Sequence, residues 1–205
     1  MIIEVVGVDG SGKTTLIHGL RKAINEGGKA WAYERSYQSE NVRMLEAAAS
    51  VKGVRARPRA AFSGDVIETA RTLELVSKSF QLALYKRSMT QHVLCDSYLV
   101  EQGARLCDCG LTESATWTLL DMATAPDLCV YLKVDAGEAL QRMRSRLKGD
   151  SLLLDADPLG ATAAIVEGLE RALSRMPYPH IVVDAGQQPA AVLSDVSSSL
   201  GLLDD

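Results

Sequence analysis

Five short apolar runs punctuate the chain, at residues 2–7, 29–33, 92–96, 128–134 and 181–184. None alternates polar with apolar positions. That is the pattern of strands covered on both faces, so they read as buried parallel strands. Between them, apolar positions recur at helical spacing. A first helix carries Leu16, Ile17, Leu20 and Ile24 and stops at Gly27-Gly28, a strong termination signal. Further helices are expected over about 41–51, 66–90, 113–123, 137–147, 162–176 and 189–200, the long one with apolar positions at Leu73, Val76, Phe80 and Leu84. Strands alternating with helices imply an α/β chain whose five-stranded parallel sheet is doubly wound, with helices on both faces. Such sheets hold ligands beyond the carboxyl ends of their strands. No repeat, low-complexity tract or linker interrupts the pattern, so residues 1–205 read as a single domain.

The junction of the first strand and first helix carries the strongest chemical signal. Residues 7–15 read Gly-Val-Asp-Gly-Ser-Gly-Lys-Thr-Thr, the Walker A spacing Gly-x4-Gly-Lys-Thr placed between strand and helix as its mechanism requires. Gly10 and Gly12 let the backbone curl so that the N–H groups of Gly10, Ser11, Gly12, Lys13, Thr14 and Thr15 converge on phosphate oxygens. The helix N-terminus adds partial positive charge. Lys13 supplies a point charge to the outer phosphates, and the Thr14 hydroxyl can ligate Mg²⁺. These features point to binding of a nucleoside triphosphate.

Composition narrows the partners. A net charge of −4 argues against a protein that coats nucleic acid. No apolar run approaches the ~20 residues of a membrane span. The N-terminus runs straight into a strand without a targeting segment, so the expected location is cytoplasmic. Cys95, Cys107, Cys109 and Cys129 lack zinc-ligand spacing and read as reduced thiols.

Other residues fall where phosphoryl-transfer chemistry needs them. Asp96 ends the third strand, where a Mg²⁺-organising carboxylate belongs, ligating directly or through water. Arg35 follows the second strand, where a guanidinium can grip an acceptor phosphate. Asp9, inside the loop, opposes phosphate unless it faces elsewhere, and is assigned to a substrate hydroxyl. The segment 142–157 begins with Arg142, Arg144 and Arg146, with Arg142 and Arg146 four residues apart, and contains Gly149. It suits either a lid over phosphates or a salt-bridged surface helix. Arg55, Arg57 and Arg59 alternate around Pro58 in a segment that reads as a solvated loop, or else as a basic flap.

Taken together, these residues resemble the thymidylate kinase family of P-loop nucleoside monophosphate kinases. The phosphate loop with its internal Asp9, Glu34-Arg35-Ser36, residues 93–98 ending Asp96-Ser97-Tyr98, residues 126–135 with 139–146, and Val182-Val183-Asp184-Ala185 follow that family's order. The resemblance implies a P-loop NTPase fold, ATP with Mg²⁺ as donor, a nucleotide acceptor and a homodimer. By resemblance, Lys13 and Arg146 act on the transferring group, with Arg142 and Arg146 on the ATP side. Asp9, Glu34, Arg35 and Tyr98 then contact the acceptor, and Thr14 and Asp96 organise the metal. Ser97 departs from the pattern, standing where the family carries an arginine, and neither Lys78 nor Gln81 replaces its base-reading arginine. Phosphoryl transfer to a thymidylate-like monophosphate is the leading expectation. Transfer to a nucleoside or other hydroxyl, with Glu34 as base, is the alternative. A nucleotide-dependent switch is the third reading, with Asp157-Pro158-Leu159-Gly160 as its formal Asp-x-x-Gly element.

Overall fold

The computed structural model describes residues 1–28, 31–35, 39–51, 61–89, 92–146 and 150–201. In chain order the elements are β1 (Ile2–Val6), α1 (Lys13–Glu26), β2 (Trp31–Arg35), α2 (Glu40–Val51), α3 (Gly64–Met89), β3 (His92–Asp96), α4 (Leu99–Asp108), α5 (Ala115–Asp121), β4 (Leu128–Lys133), α6 (Ala136–Arg144), α7 (Pro158–Arg175), β5 (His180–Asp184) and α8 (Pro189–Ser199), with a 3₁₀ turn at Ser151–Leu154. The five strands form one sheet in the order β2-β3-β1-β4-β5, and every neighbouring pair is parallel.

Because side chains alternate along a strand, the sheet feeds two cores. Ile2, Val6, Val93, Cys95, Cys129 and Tyr131 face α3, α4, α5 and α7, meeting Leu75, Leu99, Leu120 and Leu169. Ile3, Val5, Leu94, Val130 and Leu132 face α1, α6 and α8, meeting Ile17, Leu20, Ala139 and Val196. β1 is buried along its whole length. Its neighbours β3 and β4 lie on opposite sides of it, so the chain leaves β1 at the point where the winding reverses, the place where such sheets open a crevice. All four cysteines are free thiols, with Cys95 and Cys129 buried.

The sheet leaves several expectations corrected. β2 is shifted two residues, so Glu34 and Arg35 belong to the strand rather than to the segment after it, and Arg35 pairs in register with Asp96. α3 buries Ile67, Leu75, Val76 and Leu82, while Val66, Leu73, Phe80 and Leu84 are exposed. Of the four apolar positions read from its sequence, only Val76 packs inward. α7 begins at Pro158 because Asp157 caps it, Oδ1 accepting from Gly160 N at 3.0 Å. The formal Asp-x-x-Gly element is therefore a helix start, with Pro at the first position where its missing N–H is harmless. α4 was not expected at all. Its Gly103 lets it press against α7 and α5: a Cβ there would lie 2.5 Å from Met176 Cε and 3.3 Å from Ala172 Cβ.

A buried carboxyl ties α4 to the central strand. Glu4, fully buried in β1, accepts from Tyr98 N at 2.9 Å and Val100 N at 3.0 Å, the first amides of α4. Ser97, at the bend between, is the non-glycine residue with positive φ (62°) among those described. Burial drives the Glu4 pKa up to about 8, against the two backbone N–H bonds, which lower it, with repulsion from Glu101 adding to the rise. The folded pKa thus exceeds the unfolded value. From pH 4.5 to 8 the unfolded chain loses this proton and the folded chain keeps it, so Glu4 makes stability fall as pH rises through that window. Glu4→Gln keeps the acceptor for both amides without a titrating proton. Urea unfolding at pH 5, 6.5 and 8 should show Glu4→Gln matching the parent at the lowest pH and exceeding it by several kcal/mol at the highest, at ~1.4 kcal/mol per pKa unit. A difference that does not vary with pH would refute the assignment.

Candidate active site

The loop leaving β1 is bent by two residues of positive φ, Gly10 at 90° and Gly12 at 95°. At Gly10 nothing larger fits: a Cβ would sit 2.4 Å from the Ala139 carbonyl oxygen of α6. Gly12 is the N-cap of α1 and gives it no side-chain cap, so the first amides of that helix are open to an anion. Lys13 arcs back over the loop, its Nζ donating to Gly7 O at 2.6 Å and Val8 O at 3.2 Å and standing 3.4 Å from Asp9 Oδ1.

A cavity of about 480 Å³ opens over this loop, lined by Val8, Lys13, Thr14, Asp96, Arg146 and Asp150 among others. Its far wall is one face of α4: Ser97, just before the helix, then Glu101, Ala104, Arg105 and Asp108. Arg105 Nη2 donates to Glu101 Oε1 at 2.5 Å. Burial works to raise the Glu101 pKa, but the Arg105 guanidinium, a hydrogen bond from Ser97 and the charge of Lys13 hold it below its ordinary value. Burial likewise opposes charge on Arg105, and Glu101 more than compensates, raising its pKa. The pair is therefore ionised, and its charges are fixed to one helix one turn apart.

The structure gathers many of the residues expected from sequence. Asp9, Lys13, Thr14, Asp96 and Arg146 share the cavity wall. Gly10, Ser11, Gly12 and Thr15 form the loop and first turn beneath it, with Ser11 buried and Thr15 exposed. Thr14 and Asp96 offer a hydroxyl and a carboxylate on one wall beside Lys13. Two such hard oxygens suit Mg²⁺, which keeps its waters and takes its remaining ligands from phosphates. Among the described residues no cluster of three His, Cys, Asp or Glu forms a closed metal cage.

Two residues sit elsewhere. Tyr98 is 1% exposed, deep in the core, where its hydroxyl donates to Thr124 O at 2.9 Å. It belongs to the packing under α4 and not to the cavity wall. Arg142 braces the fold, Nη1 donating to Ala185 O at 2.8 Å and Nη2 to Glu138 Oε1 at 2.5 Å. α6 ends at Arg144, so Arg146 lies past the helix and does not share a helical face with Arg142. Glu34 and Arg35 lie on β2 at the carboxyl edge of the sheet, and their side chains fall outside the described residues. So do Arg55, Arg57 and Arg59 and the middle of the 142–157 segment, residues 147–149. The cavity residues missing from the sequence reading are Glu101, Arg105, Asp108 and Asp150. Glu101 and Arg105, an acid four residues before a base, were the only local signal.

The chain is similar to two probable thymidylate kinases of Methanococcus maripaludis: that of strain C7 is 28% identical over 142 residues, covering 69% of this chain and 64% of the relative, and that of strain C6 is 27% identical over the same coverage. The match thus spans just under two thirds of the relatives' length. A solved structure of deoxyadenosine kinase from M. mycoides, with the products dCMP and a flexible dCDP bound, superimposes with a TM-score of 0.62 at 16% identity, covering 98% of this chain and 99% of that one. At that identity the likeness concerns the fold. The profile of the thymidylate kinase family matches residues 5–195, nearly the whole chain, and the protein belongs to the thymidylate kinase family.

Proposed function

We propose that the protein transfers the γ-phosphoryl group of ATP to a thymidylate-like nucleoside monophosphate. The observation that carries this reading is the convergence of Lys13, Thr14, Asp96 and Arg146 on one cavity over the β1–α1 loop. The loop amides and the open N-terminus of α1 hold the donor phosphates. Lys13 meets the outer phosphate, and Arg146 approaches from the lid side. Thr14 and Asp96 are the residues that would hold Mg²⁺, which would supply positive charge against the donor phosphates. A monophosphate oxygen is already an anion, so the chain need supply no general base. Its work is to align two anions and stabilise charge in a loose transition state.

A hydroxyl acceptor is the second reading. One observation favours it: an ionised carboxylate, Glu101, stands in the cavity beside Ser97. The deciding experiment is ADP release from Mg·ATP with a panel of nucleosides and nucleoside monophosphates. The monophosphate reading expects turnover of a pyrimidine monophosphate well above that of its nucleoside. The reverse order would overturn it.

Lys13→Ala should lower kcat/KM at least a thousandfold, in proportion to a charge used in the transition state, while shifting the melting temperature little. A comparable loss of folding stability would refute a chemical role.

The family's homodimer has a natural seat in the outward row of Val66, Leu73 and Phe80 on α3, all exposed and seven residues apart, a spacing that lets two copies of one helix pack together. Light scattering after size exclusion should report a dimer for the parent chain and a monomer for Phe80→Glu. A dimer in both would exclude this face.

A further inference from the structure

The α4 wall has a task that the phosphate loop cannot perform. With a donor triphosphate over the loop and Lys13, the acceptor is left the opposite wall, built from Ser97, Glu101, Ala104, Arg105 and Asp108. A phosphate monoester brought there is close to dianionic and must meet positive charge. Residue 97 offers a hydroxyl. Asp108 is held by Arg171, Nη2 to Oδ1 at 3.2 Å. On this wall, among the described residues, the cation is Arg105.

We infer that Arg105, presented by Glu101, is the group that binds the acceptor's phosphate, an assignment that rests on the monophosphate reading above. A guanidinium has five donors in a fixed plane. Glu101 takes one of them, on Nη2. The planar fork can hold a carboxylate along one edge and a phosphate along the other. Glu101 fixes the rotamer of an arginine whose side chain is 35% exposed, so little ordering remains when the anion arrives. Ser97 steadies Glu101 in turn by hydrogen-bonding its carboxylate. The chain Ser97–Glu101–Arg105 thus delivers a positive charge from about two turns further along the chain, to the wall where Ser97 itself brings none.

The nucleoside is the control, since it shares every contact except the phosphate. Binding of thymidylate and of thymidine, or of the panel's best monophosphate and its parent nucleoside, is measured by calorimetry with Mg·ADP present. The proteins are the parent, Arg105→Gln and Arg105→Lys, with KM values for acceptor and ATP taken alongside. Arg105→Gln should weaken monophosphate binding and raise its KM about ten- to a hundredfold, as expected for a charge-assisted bond. Nucleoside affinity and the KM for ATP should not change. Arg105→Lys should fall between, keeping the charge and losing the fork; should Arg105→Gln unfold, the lysine variant alone carries the comparison. Unchanged monophosphate binding in a chain that still phosphorylates monophosphates would overturn this inference and leave the proposed function standing. Equal loss for monophosphate and nucleoside would mark Arg105 as structural and also overturn it. A parent chain that phosphorylates nucleosides and no monophosphate would remove the reading beneath it, and the inference with it.

Discussion

The close approach of Gly10 to the Ala139 carbonyl governs the geometry of this protein. A loop that curls its amides inward must expose its outer side to whatever packs behind it, and here that is α6. The contact permits no Cβ, so loop and helix seat against each other in one way. α6 is fastened in turn by Arg142, which reaches the Ala185 carbonyl after β5. These contacts therefore join the sheet, the β1–α1 loop and the start of the 142–157 segment. Arg146 follows just past the last turn of α6. Its chemical value depends on this anchoring, because a flexible cation gains little from a phosphate once its own ordering is subtracted.

The second anchor is electrostatic. Glu4 places a carboxyl in the middle of an apolar strand, where an ionised group is expensive. The fold meets this with two amides from the N-terminus of α4, whose partial positive charge favours the same oxygen. The proton retained up to about pH 8 removes most of the remaining penalty. In return the bend at Ser97 is fixed, although a positive φ at a non-glycine residue costs ~1–2 kcal/mol. Glu4 is not among the residues lining the cavity. It decides where α4 starts, and hence where Asp96 at one end of the bend and Glu101 and Arg105 at the other face the cavity.

What could be read from the chain divides along the same line. The phosphate loop was legible because all its parts lie within nine residues and each has a backbone reason to be there. β1, β3 and β4 were legible because near-complete burial leaves a mostly apolar run. β2 was misplaced because it lies at the sheet edge, where polar residues such as Glu34 and Arg35 extend the ladder without an apolar signature. α4 was invisible. Apart from the Glu101–Arg105 pair, its sequence carries Gln102 and Gly103 inside the helix, and each of these is explained only by a partner distant in sequence: Gln102 by Glu68 and Thr72 on α3, Gly103 by Met176. Tyr98 and Arg142 are assigned to substrate by resemblance to the family's motifs. Their actual partners, the Thr124 and Ala185 carbonyls, are brought near by the fold and leave no local trace.

Charge in the cavity sharpens the contrast between donor and acceptor. Asp9, Asp96, Glu101, Asp108 and Asp150 line it together with Lys13, Arg105 and Arg146, so among the described lining residues acids outnumber bases. A bare triphosphate would be poorly received there, whereas one carrying a divalent cation brings its own compensation and satisfies Asp96 as well. The acceptor brings no such ion. On the proposed reading its charge must be met by a fixed guanidinium, and on the α4 wall that is Arg105. Selectivity for the donor, on that reading, thus follows from the loop together with a metal-bound triphosphate. On the same reading, selectivity for the acceptor rests on the α4 wall, where Arg105 brings a positive charge that Ser97, just before the helix, does not.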